Sequence, residues 1–206
     1  MSIEAVVFDF GQVISFTQEP TRTAWLQNAC GLTPARFTEL YYRHRPAYDQ
    51  GRLDGPAYWR LLLAAGKIQP DDALLQQLID TDTLSWCENL DTRMLDWAAD
   101  LRQNGLQTGI FSNMPADILE YLRTQQSWLA DFNFSVFSCE YDVVKPNAAI
   151  YQHLVKAAGL APQHLLFLDD RKENIEAART AGLQADIFTS YEALKDHWSW
   201  PIPAPS

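Results

Sequence analysis

Short apolar runs alternate with amphipathic segments over most of the chain. The apolar runs predict strands at residues 5–8, 107–111, 134–137, 165–168 and 185–188. Segments of helical periodicity predict a helix that ends near Gly105, a helix from Pro115, and helices at 147–159 and 171–182. Strands that alternate with helices favour βαβ units, so the sequence predicts an α/β fold with a Rossmann-like parallel sheet.

Residues 15–86 interrupt this alternation and carry helical periodicity instead, as at Tyr58, Leu61 and Leu62. A chain of 206 residues with 47% hydrophobic content is long enough for one domain and a modest insertion. We therefore expect a core formed by residues 1–14 and 87–206, with a helical lobe inserted at 15–86. The proline-rich tail that contains Trp198 and Trp200 is predicted to lie along the surface.

Charge and composition narrow the classes of partner. A formal net charge of -10 argues against a nucleic-acid partner, because such binding depends on Lys and Arg. The chain enters its first strand without a targeting segment, and no apolar run of membrane-spanning length follows, so we expect a cytoplasmic protein without a membrane partner. Cys30, Cys87 and Cys139 lack metal-binding spacing and are predicted to be buried thiols. A monomer and a homodimer both remain open.

Four short motifs follow predicted strands or precede a helix, at the edge where a parallel sheet gathers its ligand site. They are Asp9, Ser112-Asn113, Lys145-Pro146 and Asp169-Asp170. Together they supply a carboxylate nucleophile, a hydroxyl with adjacent amides, an ammonium group and two acids suited to Mg²⁺. Phosphoryl transfer needs these parts, since its catalysis rests on positioning and electrostatic stabilisation.

Each motif also has a purely structural interpretation. Asp9 and Gly11 are both common turn residues. Asp170 with Glu173 resembles a helix capping box, which is compatible with metal binding but leaves Asp169 unexplained. Lys145 could be an exposed residue at a helix start, although the positive end of the helix dipole is unfavourable there. The shared placement of the motifs favours the functional interpretation.

Residues 41–45, Tyr-Tyr-Arg-His-Arg, concentrate aromatic and basic groups in the predicted lobe. They could line a substrate pocket beneath the lobe, or form a solvated helix face with tyrosines in the core. Because charged runs are usually solvated, the second interpretation is favoured for any single member.

The motifs from Asp9 to Asn174 resemble those of the haloacid dehalogenase-like (HAD) hydrolase superfamily, and the helical insertion resembles its type-1 cap. The resemblance covers nearly the whole chain. It implies a Mg²⁺-dependent phosphomonoesterase that acts on a small phosphorylated metabolite. By position, it implies that Asp9 forms the aspartyl-phosphate and that the metal is bound by Asp9, Asp170 and the carbonyl of Gly11. It implies phosphate contacts at Ser112 and Asn113, and a bridge from nucleophile to phosphate at Lys145. Asp169 and Asn174 would orient metal-bound waters.

Gly11 departs from the superfamily pattern, because most of its phosphatases have an aspartate there that protonates the leaving group and activates water. Positioned acid–base groups typically contribute ~10²–10⁴-fold to a rate. The segments 9–13, 145–151 and 168–178 are similar to a sugar-phosphatase branch that includes α-glucose-1-phosphate phosphatases, some of which also have glycine here. An anomeric sugar phosphate has a better leaving group than an alkyl phosphate, so its protonation matters less.

Two other functions stay open. Gly11 is compatible with a weakly active or non-catalytic protein that binds phosphate or another protein. A haloacid dehalogenase would use a similar aspartate nucleophile, but the pair Asp169-Asp170 counts against it because that reaction needs no acidic metal site.

Overall fold

The computed structural model describes residues 2–197 and contains one five-stranded parallel sheet. The strands are β1 (Ala5–Phe8), β2 (Gln107–Ser112), β3 (Phe134–Phe137), β4 (Leu165–Asp169) and β5 (Gln184–Ile187), in the order β3-β2-β1-β4-β5. All four neighbouring pairs are parallel. The predicted α/β class and parallel sheet are confirmed. The predicted surface tail lies outside the described residues.

The helices fill the intervals between the strands. They are α1 (Pro20–Ala29), α2 (Pro34–Asp49), α3 (Gly55–Ala65), α4 (Asp72–Cys87), α5 (Thr92–Gln103), α6 (Ala116–Gln125), α7 (Ala148–Ala158), α8 (Lys172–Thr180) and α9 (Tyr191–His197). Asn147 caps the start of α7 through its side chain, and Gly159 ends that helix in the left-handed conformation. The sequence therefore located α7 within one residue at each end.

The two faces of the sheet carry separate hydrophobic clusters. Along β1, Val6 and Phe8 pack with α5 and α6, whereas Ala5 and Val7 pack with α7 and α8. This alternation follows from the two-residue period of a strand. It gives a three-layer core in which helices cover both faces, as a buried parallel sheet requires.

Helices α1–α4, here called the helical lobe (residues 20–87), contain a third cluster of their own that runs from Leu26 to Ile79. The lobe is joined to the core by a hydrogen bond from Tyr48 Oη to Asp117 Oδ2 at 2.7 Å. Ser138 Oγ also donates to the main-chain oxygen of Asp49 at 2.5 Å. That residues 15–86 form an independent inserted domain stays a prediction.

The cysteines differ in exposure. Cys30 and Cys87 are buried and Cys139 is half-buried, and all three are free. The prediction of buried thiols therefore fits two of them. Among residues 2–197, every helix is too short or too polar to span a bilayer.

Candidate active site

A cleft of about 730 Å³ lies between the carboxyl edge of the sheet and the helical lobe. Most of the residues singled out in the sequence line it, namely Asp9, Gly11, Ser112, Asn113, Lys145, Asp170 and Asn174. Asp169 is fully buried beside them. The lobe contributes aromatic and charged side chains from α2 and α4, so the cleft is enclosed by both parts of the chain.

Asp9 follows β1 directly and is buried, with 7% of its surface exposed. The main-chain N–H of Phe10 donates to its Oδ1 at 2.7 Å, and Lys145 Nζ lies 3.0 Å from the same oxygen. Burial raises the pKa of Asp9 to about 7, with Lys145 opposing the shift and Asp169 adding to it. Both of these contacts involve Oδ1, and the Ser112 side chain also hydrogen-bonds to the Asp9 carboxylate.

Lys145 is 3% exposed, and its ammonium group connects the acidic residues. Nζ donates to Asp169 Oδ2 at 2.7 Å and to the Phe111 carbonyl at 2.9 Å, in addition to its contact with Asp9. Burial alone would lower the pKa of Lys145, but Asp169 and Asp9 outweigh it and hold the pKa above its ordinary value. All three protons have acceptors within the protein, so a phosphate contact requires an exchange of partners.

The Asn113 side chain has a structural task that the sequence did not reveal. Its Oδ1 accepts from the Lys145 main-chain N–H at 2.8 Å, and its Nδ2 donates to the Lys145 carbonyl at 3.0 Å. These two bonds fix the loop that carries Lys145. The main-chain N–H of Asn113 donates to no other described residue and is therefore available to a ligand.

Asp169 and Asp170 take different positions. Asp169 accepts from Asn174 Nδ2 at 2.9 Å and from the Arg171 main-chain N–H at 2.9 Å, as well as from Lys145. The capping interpretation of Asp170 was wrong: α8 has Arg171 at its N-cap and no side-chain cap, because Asp170 points toward the cleft. Burial and repulsion from Asp169 raise the pKa of Asp170.

The acidic residues fit a divalent cation. One carboxylate oxygen from each of Asp9, Asp169 and Asp170 lies within 4.8 Å of the others. An all-oxygen donor set suits Mg²⁺, and a bound cation would offset the repulsion that raises the pKa of Asp170. The carbonyl of Gly11 accepts no hydrogen bond from the described residues, so it is available as a further ligand.

In the loop after β1, Gln12 makes a contact that the sequence did not predict. Gln12 adopts a positive φ of 60°, and its Nε2 donates to Asp170 Oδ2 at 2.8 Å. Gln12 thus holds a predicted metal ligand. A Cβ at Gly11 would lie 3.4 Å from Trp86 Cζ3, so the backbone there has room for a side chain.

The cluster 41–45 divides between the two interpretations. Tyr41, Tyr42 and Arg45 line the cleft, whereas Arg43 pairs with Glu39 in solvent. For Arg43 the solvated interpretation is therefore confirmed.

Arg45 is held in place by its neighbours. Its Nε donates to Asp49 Oδ1 at 2.7 Å, and its Nη1 donates to Tyr41 Oη. Its guanidinium also lies 5.8 Å from the Trp86 ring centre. Sequence reasoning did not select Asp49 or Trp86, because neither stands in a motif and only helix packing brings them to the cleft.

These features define a Rossmann-like α/β core with a carboxylate-rich site at the edge of its sheet, covered by a helical lobe. Residues 3–182 match the haloacid dehalogenase-like hydrolase family, and the chain belongs to that family. The resemblance drawn from the four motifs is thus confirmed at the level of the family. The closer similarity to α-glucose-1-phosphate phosphatases stays a prediction.

Curated relatives match part of the chain. A sesquiterpene phosphatase from Aspergillus oryzae is 26% identical over 129 residues, which cover 57% of this chain and 66% of that protein. A phosphoglycolate phosphatase from Pseudomonas putida is 25% identical over 119 residues, which cover 55% of this chain and 44% of that protein. The matched region therefore spans less than two thirds of either relative.

Solved structures match over nearly the whole chain. A predicted HAD-like hydrolase from Porphyromonas gingivalis has a TM-score of 0.76 at 20% identity, covering 97% of this chain and 99% of that one. A HAD family enzyme from Bacteroides thetaiotaomicron, in complex with magnesium and inorganic phosphate, has a TM-score of 0.75 at 17% identity, covering 94% and 100%. At this identity the similarity establishes the fold alone.

Proposed function

We propose that this protein is a Mg²⁺-dependent phosphomonoesterase that hydrolyses a small phosphorylated metabolite, in particular a sugar phosphate, through an aspartyl-phosphate on Asp9. One observation carries the proposal: the carboxylates of Asp9, Asp169 and Asp170 lie within 4.8 Å of one another, with the Lys145 ammonium in contact with two of them. Phosphoryl transfer requires a nucleophile, a cation and a charge-neutralising group in close proximity.

We assign each residue of the site a role in the reaction. We assign Oδ2 of Asp9 as the nucleophile, because Phe10 and Lys145 both hold Oδ1. Lys145 favours the ionised form of Asp9 and so keeps it competent for attack. We assign the Ser112 hydroxyl and the Asn113 main-chain N–H to the phosphate oxygens, since both residues line the cleft. Mg²⁺, held by Asp9, Asp170 and the Gly11 carbonyl, would neutralise the charge of the phosphate.

The cleft supports a sugar phosphate as substrate. Its volume of about 730 Å³ suits a small metabolite. The rings of Tyr41, Tyr42 and Trp86 offer flat apolar surfaces, and Arg45 adds a fixed hydrogen-bond donor among them. This combination of aromatic faces and polar groups matches the apolar faces and hydroxyl groups of a sugar ring.

The comparisons are consistent with phosphate chemistry. Two relatives are phosphatases by name, and a protein of similar fold was crystallised with magnesium and inorganic phosphate. The acidic cluster favours a phosphatase over a dehalogenase, because dehalogenation requires no cation.

A phosphate-release assay tests the proposal. The purified chain is incubated with glucose 1-phosphate, glucose 6-phosphate, phosphoglycolate and p-nitrophenyl phosphate, with Mg²⁺ or with excess EDTA. We expect Mg²⁺-dependent release that Asp9→Asn abolishes. Asp142→Asn, at an exposed site paired with Arg52, serves as the matched control and should retain full activity.

Two results would reject the proposal. A folded protein that binds inorganic phosphate but releases none from any substrate is a binding module. Release of halide from 2-chloropropionate without Mg²⁺ identifies a dehalogenase.

A further inference from the structure

The proposed function leaves one step without a residue, because Gly11 cannot transfer a proton. Departure of an alkoxide from phosphorus is strongly assisted by an acid, and a base assists the attack of water on the aspartyl-phosphate. The required group must lie in the cleft, be titratable, and not be occupied as nucleophile or metal ligand. Among the described residues that line the cleft, one carboxyl group meets these conditions.

Three carboxylates line the cleft within the described part of the chain, at Asp9, Asp49 and Asp170. Asp9 and Asp170 belong to the nucleophile and metal cluster. Asp49 comes from the opposite wall, as the last residue of α2 in the helical lobe. A leaving group that points away from Asp9 extends toward that wall.

Two hydrogen bonds hold Asp49 in position, one to its main chain and one to its side chain. Its main-chain oxygen accepts from Ser138 Oγ in the core at 2.5 Å, which anchors the end of α2 over the cleft. Its side chain accepts from Arg45 Nε at 2.7 Å through Oδ1. Oδ2 has no hydrogen-bond partner among the described residues and is therefore the oxygen free to meet a substrate.

The surroundings of Asp49 favour its protonated form more than an exposed site would. Burial raises the pKa of Asp49, although Arg45, Arg171 and Lys145 lower it. Asp82 also faces this group across the lobe. The negative end of the α2 dipole acts in the same direction as burial.

We propose that Asp49 is the general acid and base of the reaction, in place of the carboxylate missing at position 11. The inference rests on the phosphomonoesterase function proposed above. In the first step Asp9 attacks phosphorus, the bond to the leaving oxygen breaks, and that oxygen takes its electron pair and a proton from Asp49. In the second step water attacks the aspartyl-phosphate and gives a proton to Asp49. The bond to Asp9 then breaks, so inorganic phosphate leaves and both carboxyl groups return to their initial states.

Asp49→Asn tests this role by comparing activity on two substrates whose leaving groups differ in their need for a proton. With glucose 6-phosphate, a primary alkyl phosphate, we expect kcat/KM to fall ~10²–10⁴-fold. With p-nitrophenyl phosphate, whose leaving group needs no proton, we expect a burst of nitrophenolate equal to the enzyme concentration, followed by slow turnover. The burst also reports that the variant is folded. Asp80→Asn is the matched control, since Asp80 is an exposed residue of the same lobe that contacts Gln76.

A second variant asks whether a carboxylate at position 11 replaces Asp49. Gly11 lacks a positive φ, and a Cβ at this position would make an ordinary van der Waals contact with Trp86 at 3.4 Å, so the backbone accepts a Cβ for Gly11→Asp. In the Asp49→Asn background, Gly11→Asp should raise the activity on glucose 6-phosphate at least tenfold over that of Asp49→Asn alone. A merely structural role of Asp49 would not be rescued in this way.

The outcomes separate the two proposals. Equal losses on alkyl and aryl phosphates without a burst, or no loss at all, would overturn the role of Asp49 while leaving the phosphatase function in place. A wild-type protein that releases no phosphate from any substrate overturns both. If Asp49→Asn fails to fold, Asp49→Ser carries the same expectations.

Discussion

The buried carboxylate of Asp9 is expected to destabilise the metal-free protein, and Asp9→Asn measures by how much. The pKa of Asp9 rises from 3.8 to about 7 on folding, because the carboxylate is buried beside Asp169. A tenfold change in a proton-binding constant corresponds to ~1.36 kcal/mol, so ionisation of Asp9 costs the folded state about 4 kcal/mol in total. Asn occupies the same space without charge and can still accept from Phe10 and Lys145.

The sign of the pH dependence follows from linkage. The folded state binds more protons at Asp9 than the unfolded state between pH 3.8 and about 7, so the stability contributed by this group falls as pH rises through that window. Asp9→Asn removes the effect. Its advantage should be near zero below pH 4 and reach about 4 kcal/mol above pH 8, equivalent to ~8–16 °C in Tm for a chain of this size.

Thermal and urea unfolding in EDTA, at several pH values from 4 to 8.5, provide the measurement. Asp142→Asn is the control, because Asp142 is exposed, and its Tm should stay within ~1–2 °C of wild type at every pH. Saturating Mg²⁺ should stabilise wild type more than Asp9→Asn, since the cation relieves the same repulsion. An Asp9→Asn variant that gains nothing at pH 8, or gains equally at pH 4.5, would refute this account of the acidic cluster.

Two further substitutions test how the site and the sheet are supported. Asn113→Ala removes two hydrogen bonds to the main chain of Lys145, at ~0.5–1.5 kcal/mol each, so we expect a loss of ~1–3 kcal/mol in urea unfolding together with lower kcat. Unchanged kcat would show that Lys145 needs no such anchor. Gly109→Ala in β2 would place Cβ 2.1 Å from Phe134 Cε2, and we expect a loss of ~1–3 kcal/mol that Phe134→Leu partly restores. Destabilisation that persists equally in the double variant would exclude the clash as its cause.

The strand elements were predictable because their signals are local. Each of the five strands lies within about one residue of its predicted bounds, since apolar runs bounded by glycine or polar residues depend only on neighbouring sequence. The active-site edge was also predictable, because parallel strands bring their carboxyl ends together whatever their order. Asp9, Ser112 and Asp170 therefore reached the cleft as expected.

The directions of individual side chains were harder to predict from the sequence. Asp170 was predicted to bind metal, with a helix cap as a compatible alternative. That cap is absent, because the Arg171 main-chain N–H donates to Asp169 and Asp170 lines the cleft. The sequence did not predict that the Asn113 side chain bonds the main chain of Lys145, whereas its predicted phosphate contact stays a prediction. The contact of Asn113 depends on where the distant loop with Lys145 passes, which short-range patterns do not encode.

By itself, the sequence determined an α/β chain with Asp9 and an acidic pair after its strands and a lysine before a helix. It also placed a glycine where a proton-transferring carboxylate is common. Only the tertiary structure decided which other carboxylate lines the cleft. The packing of α2 over the sheet, secured by the contact between Ser138 and Asp49, brings a lobe carboxylate into the cleft. The physical reason is that hydrophobic periodicity specifies which face of a helix is buried, whereas the position of its end over a distant strand follows from side-chain packing between two separate cores.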